Sequence, residues 1–285
     1  MLPSISIIIR TVDRTEFLRE AMQSLANQTR QDFEVVVVDM SKGTANEVIT
    51  QLSEKLPSLV HLRPGKLLNR PAASNFGILH ATADRITILD DDNLFEPNQV
   101  AILVRGLEET SADVVYTGVR RTTYNEAGEL VDTKIWHEPY DFAKLLTRNY
   151  IHGVGTAFRK DAWERIGGFD ERFAVYEDYD ILLRIAVTGR IERLPAITGE
   201  SRSFTGIIGL QNHATETETV NRCLAGLYWK HRNLFFPSGQ RLKGYANQLR
   251  TKGILKSTSR RNDVVGTTVF SARMIKNLVS WWHHN

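Results

Sequence analysis

Cysteine is almost absent from this chain: Cys223 is the only one in 285 residues. That excludes an intrachain disulfide and a cysteine-based zinc site, and it fits a reducing compartment, so a cytoplasmic protein is expected. Long apolar runs are missing too. Met1-Leu2-Pro3 leads straight into a strand-like segment with no basic or apolar leader, and no stretch is long enough to cross a bilayer. Neither GxGxxG after the first strand nor GxxxxGK[ST] anywhere occurs, so a dinucleotide fingerprint and a P-loop are both excluded. Net charge of one sign is scarce at +3, which by itself speaks neither for nor against nucleic acid; no nucleic-acid partner is expected. The cations concentrate in the tail, where nine Lys and Arg from Arg241 onward face the single acid Asp263 and leave the remainder net negative.

With 42% hydrophobic and 24% charged residues, there is ample material for a globular core. Ser4 to Arg10 and Phe33 to Val38 are β-branched runs dense enough to be buried on both faces, as central parallel strands are. Between them Leu18, Ala21, Met22 and Leu25 recur at helical intervals, and Asp13 with Glu16 has capping-box spacing. Helices over Ala45 to Leu56 and Pro71 to His80, with a weak strand at Leu59 to Leu62, extend a βα repeat. That pattern predicts a mostly parallel sheet with helices on both faces, and ligands of such sheets bind outside the carboxyl ends of the strands.

Three carboxylates and an amide, Asp90-Asp91-Asp92-Asn93, close the next strand, Arg85 to Leu89. Adjacent carboxylates repel unless a cation sits among them, and their hard oxygens suit Mg²⁺ or Mn²⁺ rather than zinc. The same residues also suit a solvated acidic turn capping the helix near Pro97. Arg10-Thr11 and Asp39 end neighbouring strands and are expected on the same edge.

Further on, a helix over Pro97 to Glu109, a strand over Asp113 to Arg121 and the turn Asn125-Glu126-Ala127-Gly128 suggest a hairpin. Tyr150 to Arg159 reads as a strand whose Gly153 and Gly155 mark a close approach. After the loop Gly167-Gly168-Phe169-Asp170, Glu177-Asp178-Tyr179-Asp180 opens a helix that ends at Gly189. Acids at that position serve either as caps or as a general base. His152 and His213 are candidates for an acceptor or metal contact, though a lone histidine is more often a packing or surface residue, and Trp136, Tyr140 and Tyr150 are candidates for sugar stacking, though such aromatics more often fill the core. From about Thr215 the chain reads as helical. Its end combines Trp281, Trp282, Arg273 and Lys276, which suits either an amphipathic helix on an anionic membrane or a helix packed on the protein or on a second subunit.

Taken together, SIIIRT with its helix and Asn27-Gln28-Thr29, FEVVVVD, Asn75-Phe76-Gly77-Ile78 before Ala81-Thr82-Ala83-Asp84, ILDDDN with Pro97, and Gly167-Gly168-Phe169-Asp170 with Glu177-Asp178 resemble the family 2 glycosyltransferases over residues 4 to 200. The resemblance implies a GT-A fold, an α/β nucleotide-sugar-binding architecture, as a catalytic domain over residues 1–210 with a helical extension over 211–285. It implies an inverting, metal-dependent transfer of a sugar from a nucleoside diphosphate sugar, a UDP-sugar being favoured, to a carbohydrate or lipid-linked acceptor in polysaccharide or glycoconjugate synthesis. On this template Asp92 contacts Mn²⁺ or Mg²⁺; His213 is a second metal candidate that the template does not supply. Arg10, Thr11, Asp39, Arg70, Asn75, Asp90 and Asp91 hold the donor, Asp178 is the general base and Glu177 its neighbour. Two departures stand out: Asp39 is followed by Met40 where two acids are common, and Ser74 stands where an arginine is common, with Arg70 one helical turn earlier. A sugar-phosphate nucleotidyltransferase and a non-catalytic nucleotide-sugar-binding protein at the membrane are the competing readings.

Overall fold

The structure is a computed structural model that describes residues 2–205 and 217–235. His213 and the tail beyond Phe235 lie outside the described residues, as does the boundary at 210. Among the described residues no helix is long and apolar enough to cross a membrane.

The described residues form two compact units. The first draws on 2–140, 150–171 and 181–205, the second on 141–149, 172–180 and 217–235. The first is built on a nine-stranded mixed sheet. Strand β1 (Ser6–Thr11) pairs in parallel with β2 (Glu34–Asp39) on one side and with β4 (Arg85–Asp90) on the other, and β2 pairs in parallel with β3 (Leu59–Leu62). This half matches the expectation of buried parallel strands. Being flanked on both edges and covered on both faces is why β1 and β2 tolerate no polar alternation.

Ile7, Ile9, Val35, Val37 and Leu89 share one core with Leu18, Ala21, Met22 and Leu25 of α1 (Thr15–Ala26), Val48 and Ile49 of α2 (Asn46–Ser53), and Leu103 and Val104 of α4 (Gln99–Glu109). Helix α3 (Arg70–His80) meets the alternate residues. A Cβ on its Gly77 would lie 2.6 Å from Ile8 Cγ2 and 3.0 Å from Val38 Cγ2, so only glycine permits that approach.

Beyond β4 the sheet changes character. After the short β5 (Leu94–Phe95), the hairpin of β6 (Val114–Tyr124) and β7 (Leu130–Trp136) forms as expected, with Gly128 at φ 78° in its turn. Strand β8 (Thr156–Arg159) pairs antiparallel to both β4 and β6. Gly153 and Gly155 stand in a 3₁₀ turn before β8 rather than within a strand. The close approach is real at Gly155, where a Cβ would lie 2.8 Å from Val119 Cγ2 and 3.0 Å from the Thr117 carbonyl oxygen, but not at Gly153, where a Cβ would meet nothing within 4 Å. The 14-residue β9 (Ile191–Phe204), parallel to β6, has no clear signature because Pro195 and Gly199 interrupt it and its pairing shifts register. Asp13 does not cap α1 either. Arg14 holds that position, while Asp13 adopts φ 47° and accepts hydrogen bonds from the Thr44 hydroxyl and the Lys42 amide.

In the second unit, Asp141 caps the short α5 (Phe142–Leu145), accepting the Lys144 amide at 3.1 Å. The helix Thr217–Lys230 buries Cys223, Leu224, Leu227 and Tyr228. Helix α7 (Glu177–Thr188) follows α6 (Lys160–Arg165), and its first residues belong to this unit.

Candidate functional site

The carboxyl ends of β1, β2 and β4 carry most of the residues singled out from the sequence. The parallel register sets Thr11 beside Asp39 and Arg10 beside Asp90. Arg10 pairs with Asp90 and donates from Nη1 to the Arg70 carbonyl at 3.1 Å and to Ser74 Oγ at 3.0 Å. Ser74, where an arginine is common, is therefore an anchor for Arg10. Thr11 Oγ1 donates to Asp91 Oδ2 at 2.8 Å. Asp39 is fully buried, accepts the Ser41 amide at 2.8 Å and faces His61 Nε2 at 3.0 Å, with Arg63 Nε 3.9 Å away. The Asn75 side chain bonds the Phe169 amide and carbonyl, both at 2.9 Å, and so braces the loop beside Gly168.

Arg14, His61 and Arg202 are the residues that sequence reasoning missed. Arg14 spans two of the acids: it pairs with Asp91 through Nη2 and reaches Asp92 Oδ2 from Nη1 at 3.1 Å. Arg202 Nε donates to the Asp92 carbonyl at 2.7 Å, and its backbone amide to Asn93 Oδ1 at 3.1 Å, stapling the acidic turn to β9. Arg14 was findable, because it follows β1 on the same edge. Arg202 was not, because its strand was invisible and its partners lie more than 100 residues away.

These cations split the acids electrostatically. Burial would raise Asp90, but Arg10, Arg70 and Arg14 outweigh it and hold the carboxyl well below the usual range. For Asp91 burial wins: despite Arg14 and the Thr11 hydroxyl, and with the charge of Asp92 adding to the rise, its pKa is pushed up to about 6 from an ordinary 3.8. Between those two values the folded state keeps a proton that the unfolded chain releases, so stability falls as pH rises through this window. The group should cost on the order of 3 kcal/mol by pH 7, at about 1.4 kcal/mol per unit. Denaturant unfolding of the metal-free protein between pH 4 and 7 should show that decline, and Asp91→Asn should flatten it. An equal slope in both proteins would place the dependence elsewhere.

The carboxylates fit a divalent metal. Asp91 and Asp92 are buried hard-oxygen donors that already converge on one cationic group, the Arg14 guanidinium. Among the described residues no group of three or more His, Cys, Asp or Glu is gathered as a metal site. An ion such as Mg²⁺ takes one or two carboxylates and completes its shell with phosphate oxygens and water.

In the second unit, Asp178 is partly exposed at the start of α7. Its Oδ2 accepts Asn149 Nδ2 at 3.0 Å and its Oδ1 accepts the Tyr179 amide at 2.8 Å. Glu177 beside it is buried. Of the aromatic candidates, Tyr150 lies in the core and Trp136 packs edge-on against His152 at 5.7 Å between ring centroids, with Arg121 over its face.

A parallel half-sheet closed by an acidic turn, joined to an antiparallel half, is the architecture of nucleotide-sugar-dependent glycosyltransferases of the GT-A type. The solved structures agree. S. aureus TarS 1-349 in complex with UDP superposes with a TM-score of 0.64 at 17% identity, covering 91% of this chain and 74% of that one. Mannosyltransferase PcManGT from Pyrobaculum calidifontis, in complex with GDP-Man and Mn²⁺, gives 0.60 at 18%, covering 100% and 87%. The model of the family described as Glycosyl transferase family 2 matches residues 6–167, and the chain belongs to that family. It is 28% identical over 194 residues to the uncharacterized glycosyltransferase YwdF of Bacillus subtilis (strain 168), covering 67% of this chain and 71% of the relative. It is 27% identical over 203 residues to the chondroitin synthase of Pasteurella multocida (strain Pm70), covering 69% of this chain but only 20% of that much longer protein. Family membership makes the chain a glycosyltransferase and displaces the nucleotidyltransferase reading.

Proposed function

We propose that this glycosyltransferase moves a sugar, with inversion, from a nucleoside diphosphate sugar, a UDP-sugar by preference, to a hydroxyl of a carbohydrate or lipid-linked acceptor. The observation that carries the reading is the acidic end of β4, where Asp91 and Asp92 meet a single cationic group beside the ends of β1 and β2. Asp92, with Asp91 beside it, would hold Mn²⁺ or Mg²⁺; His213 remains a candidate ligand outside the described residues. When bound, that ion would neutralise the diphosphate as it departs. Asp39 would accept an N–H of the nucleobase, oriented by His61 and the Ser41 amide. Arg10 and Arg70 would set the charge at Asp90, leaving Asp90 to meet the ribose, and Thr11 would hold Asp91 in place. Asn75 would contribute by bracing the loop at Gly168. Asp178 would take the proton of the acceptor hydroxyl, with Glu177 shaping the turn from which it projects. The structures of TarS with UDP-GlcNAc and of PcManGT with GDP-Man support a nucleotide-sugar donor and differ in the nucleobase they carry.

Thermal denaturation with UDP-, GDP-, dTDP- and CDP-sugars, with and without Mn²⁺, tests this directly, because a ligand that binds only the native state raises apparent stability. At a ligand concentration 100 times Kd, the gain should be about 2.7 kcal/mol, and the largest shift should come from a UDP-sugar with metal. A metal-independent shift would remove the ion from the scheme. Binding without transfer to any acceptor would favour a nucleotide-sugar-binding protein instead.

A further inference from the structure

Helix α7 begins under strain. Tyr176, immediately before it, has φ 67°, and with Asp13 it is one of two non-glycine residues with positive φ among the described residues. Such a conformation is costly for a side chain with a Cβ and persists only where the surroundings over-determine it. The first turn of a helix also lacks the backbone bonds that hold later turns, so it is where fraying starts. Asp178, whose geometry matters most if it is the base, stands in that turn.

The turn is held from a part of the chain that the family match, ending at residue 167, does not reach. Asp180 is fully buried, and both its carboxylate oxygens are taken. Lys230 Nζ, at the end of the helix Thr217–Lys230, lies 2.8 Å from Oδ1 and 3.0 Å from Oδ2, and His231 Nε2 lies 2.8 Å from Oδ1. The Lys230 ammonium also sits 5.2 Å from the centroid of the Phe173 ring, on the segment leading into Tyr176. Tyr179, between the two acids, is anchored through its hydroxyl to the Leu145 carbonyl at 2.5 Å.

A buried ion pair is a poor way to gain stability, because apolar side chains of similar volume serve as well or better. What it supplies is direction: a carboxylate gripped from two sides fixes its own backbone turn. We propose that Lys230 and His231 are positioning residues that act through Asp180, holding the strained first turn of α7 so that Asp178 presents its carboxylate in one orientation. The proposal rests on the reading of Asp178 as the general base.

The test uses the full chain. Asp180→Asn combined with Lys230→Met deletes the carboxylate and the ammonium together, so that neither of these two charges is left without the other. Misplacing a catalytic group by about 1 Å is enough to cost up to about 10²-fold. The double variant should therefore lose at least roughly tenfold in kcat while its KM for the donor and its donor-induced thermal shift stay at wild-type values, and Lys230→Arg should retain most activity. Wild-type kcat in the double variant would overturn the proposal. If that variant does not fold, His231→Gln, whose amide nitrogen can still donate to Asp180, is compared with His231→Met, which cannot. Loss of kcat in the Met variant alone supports the clamp, and equal activity of the two overturns it. Asp178→Asn is assayed in parallel: if it transfers sugar normally, the base reading falls and takes the clamp with it. If it is inactive while the clamp variants are fully active, the clamp alone is wrong.

Discussion

Asp178→Asn should lower the rate of sugar transfer by roughly 10²-fold or more while the affinity for the donor barely changes. The substitution keeps the size of the side chain and leaves one oxygen to accept the Tyr179 amide, which the aspartate accepts at 2.8 Å. The new amide nitrogen also finds a partner. Asn149 Oδ1 is buried without a hydrogen-bond partner, so it is available to accept from residue 178 once the side chain is an amide. The fold of this turn should survive, and what is lost is the proton acceptor. Initial rates at saturating donor, set beside donor binding measured by calorimetry, separate the two effects. A variant that transfers at near-normal rate would mean that the base lies elsewhere.

Asp92→Ala should abolish metal-dependent binding of the donor, with turnover falling below detection, while the protein stays folded. Asp92 is 3% exposed, so its charge is held in a desolvated place, and that cost disappears with the side chain. Arg14 is not stranded by the change, because it keeps its pairing with Asp91. The backbone of the turn is held independently through Arg202 Nε on the residue 92 carbonyl at 2.7 Å, a contact that alanine preserves. Titration of Mn²⁺ and nucleotide by calorimetry, with circular dichroism to confirm the fold, checks the outcome. Unchanged diphosphate affinity in the folded variant would remove Asp92 from the metal site.

The parallel half of the sheet was legible in the chain because its signal is local. Runs such as SIIIRT and EVVVVD can only be strands buried on both faces, and α1 shows its buried stripe at 3.6-residue spacing. The acidic turn was equally legible, since three successive carboxylates at a strand end are a local pattern with few explanations. The capping-box spacing of Asp13 and Glu16 misled, because a tertiary contact to Thr44 and the backbone at Lys42 claimed the Asp13 carboxylate.

By itself, then, the sequence determined the βα alternation, the strand ends on which Arg10, Thr11, Asp39 and Asp90 to Asp92 stand, and the family motifs, all of which depend on spacing along a few turns of chain. Only the tertiary structure decided which cation serves which acid. Arg14 on Asp91 and Asp92, Arg202 on the turn behind them, and Lys230 with His231 on Asp180 are pairings across 50 to more than 100 residues. Such partners leave no periodic trace. A charge paired across the fold looks, in the sequence, the same as a charge in water, and only burial of the carboxylate, here Asp91 at 1% and Asp180 at 0% exposure, turns it into a fixed part of the site.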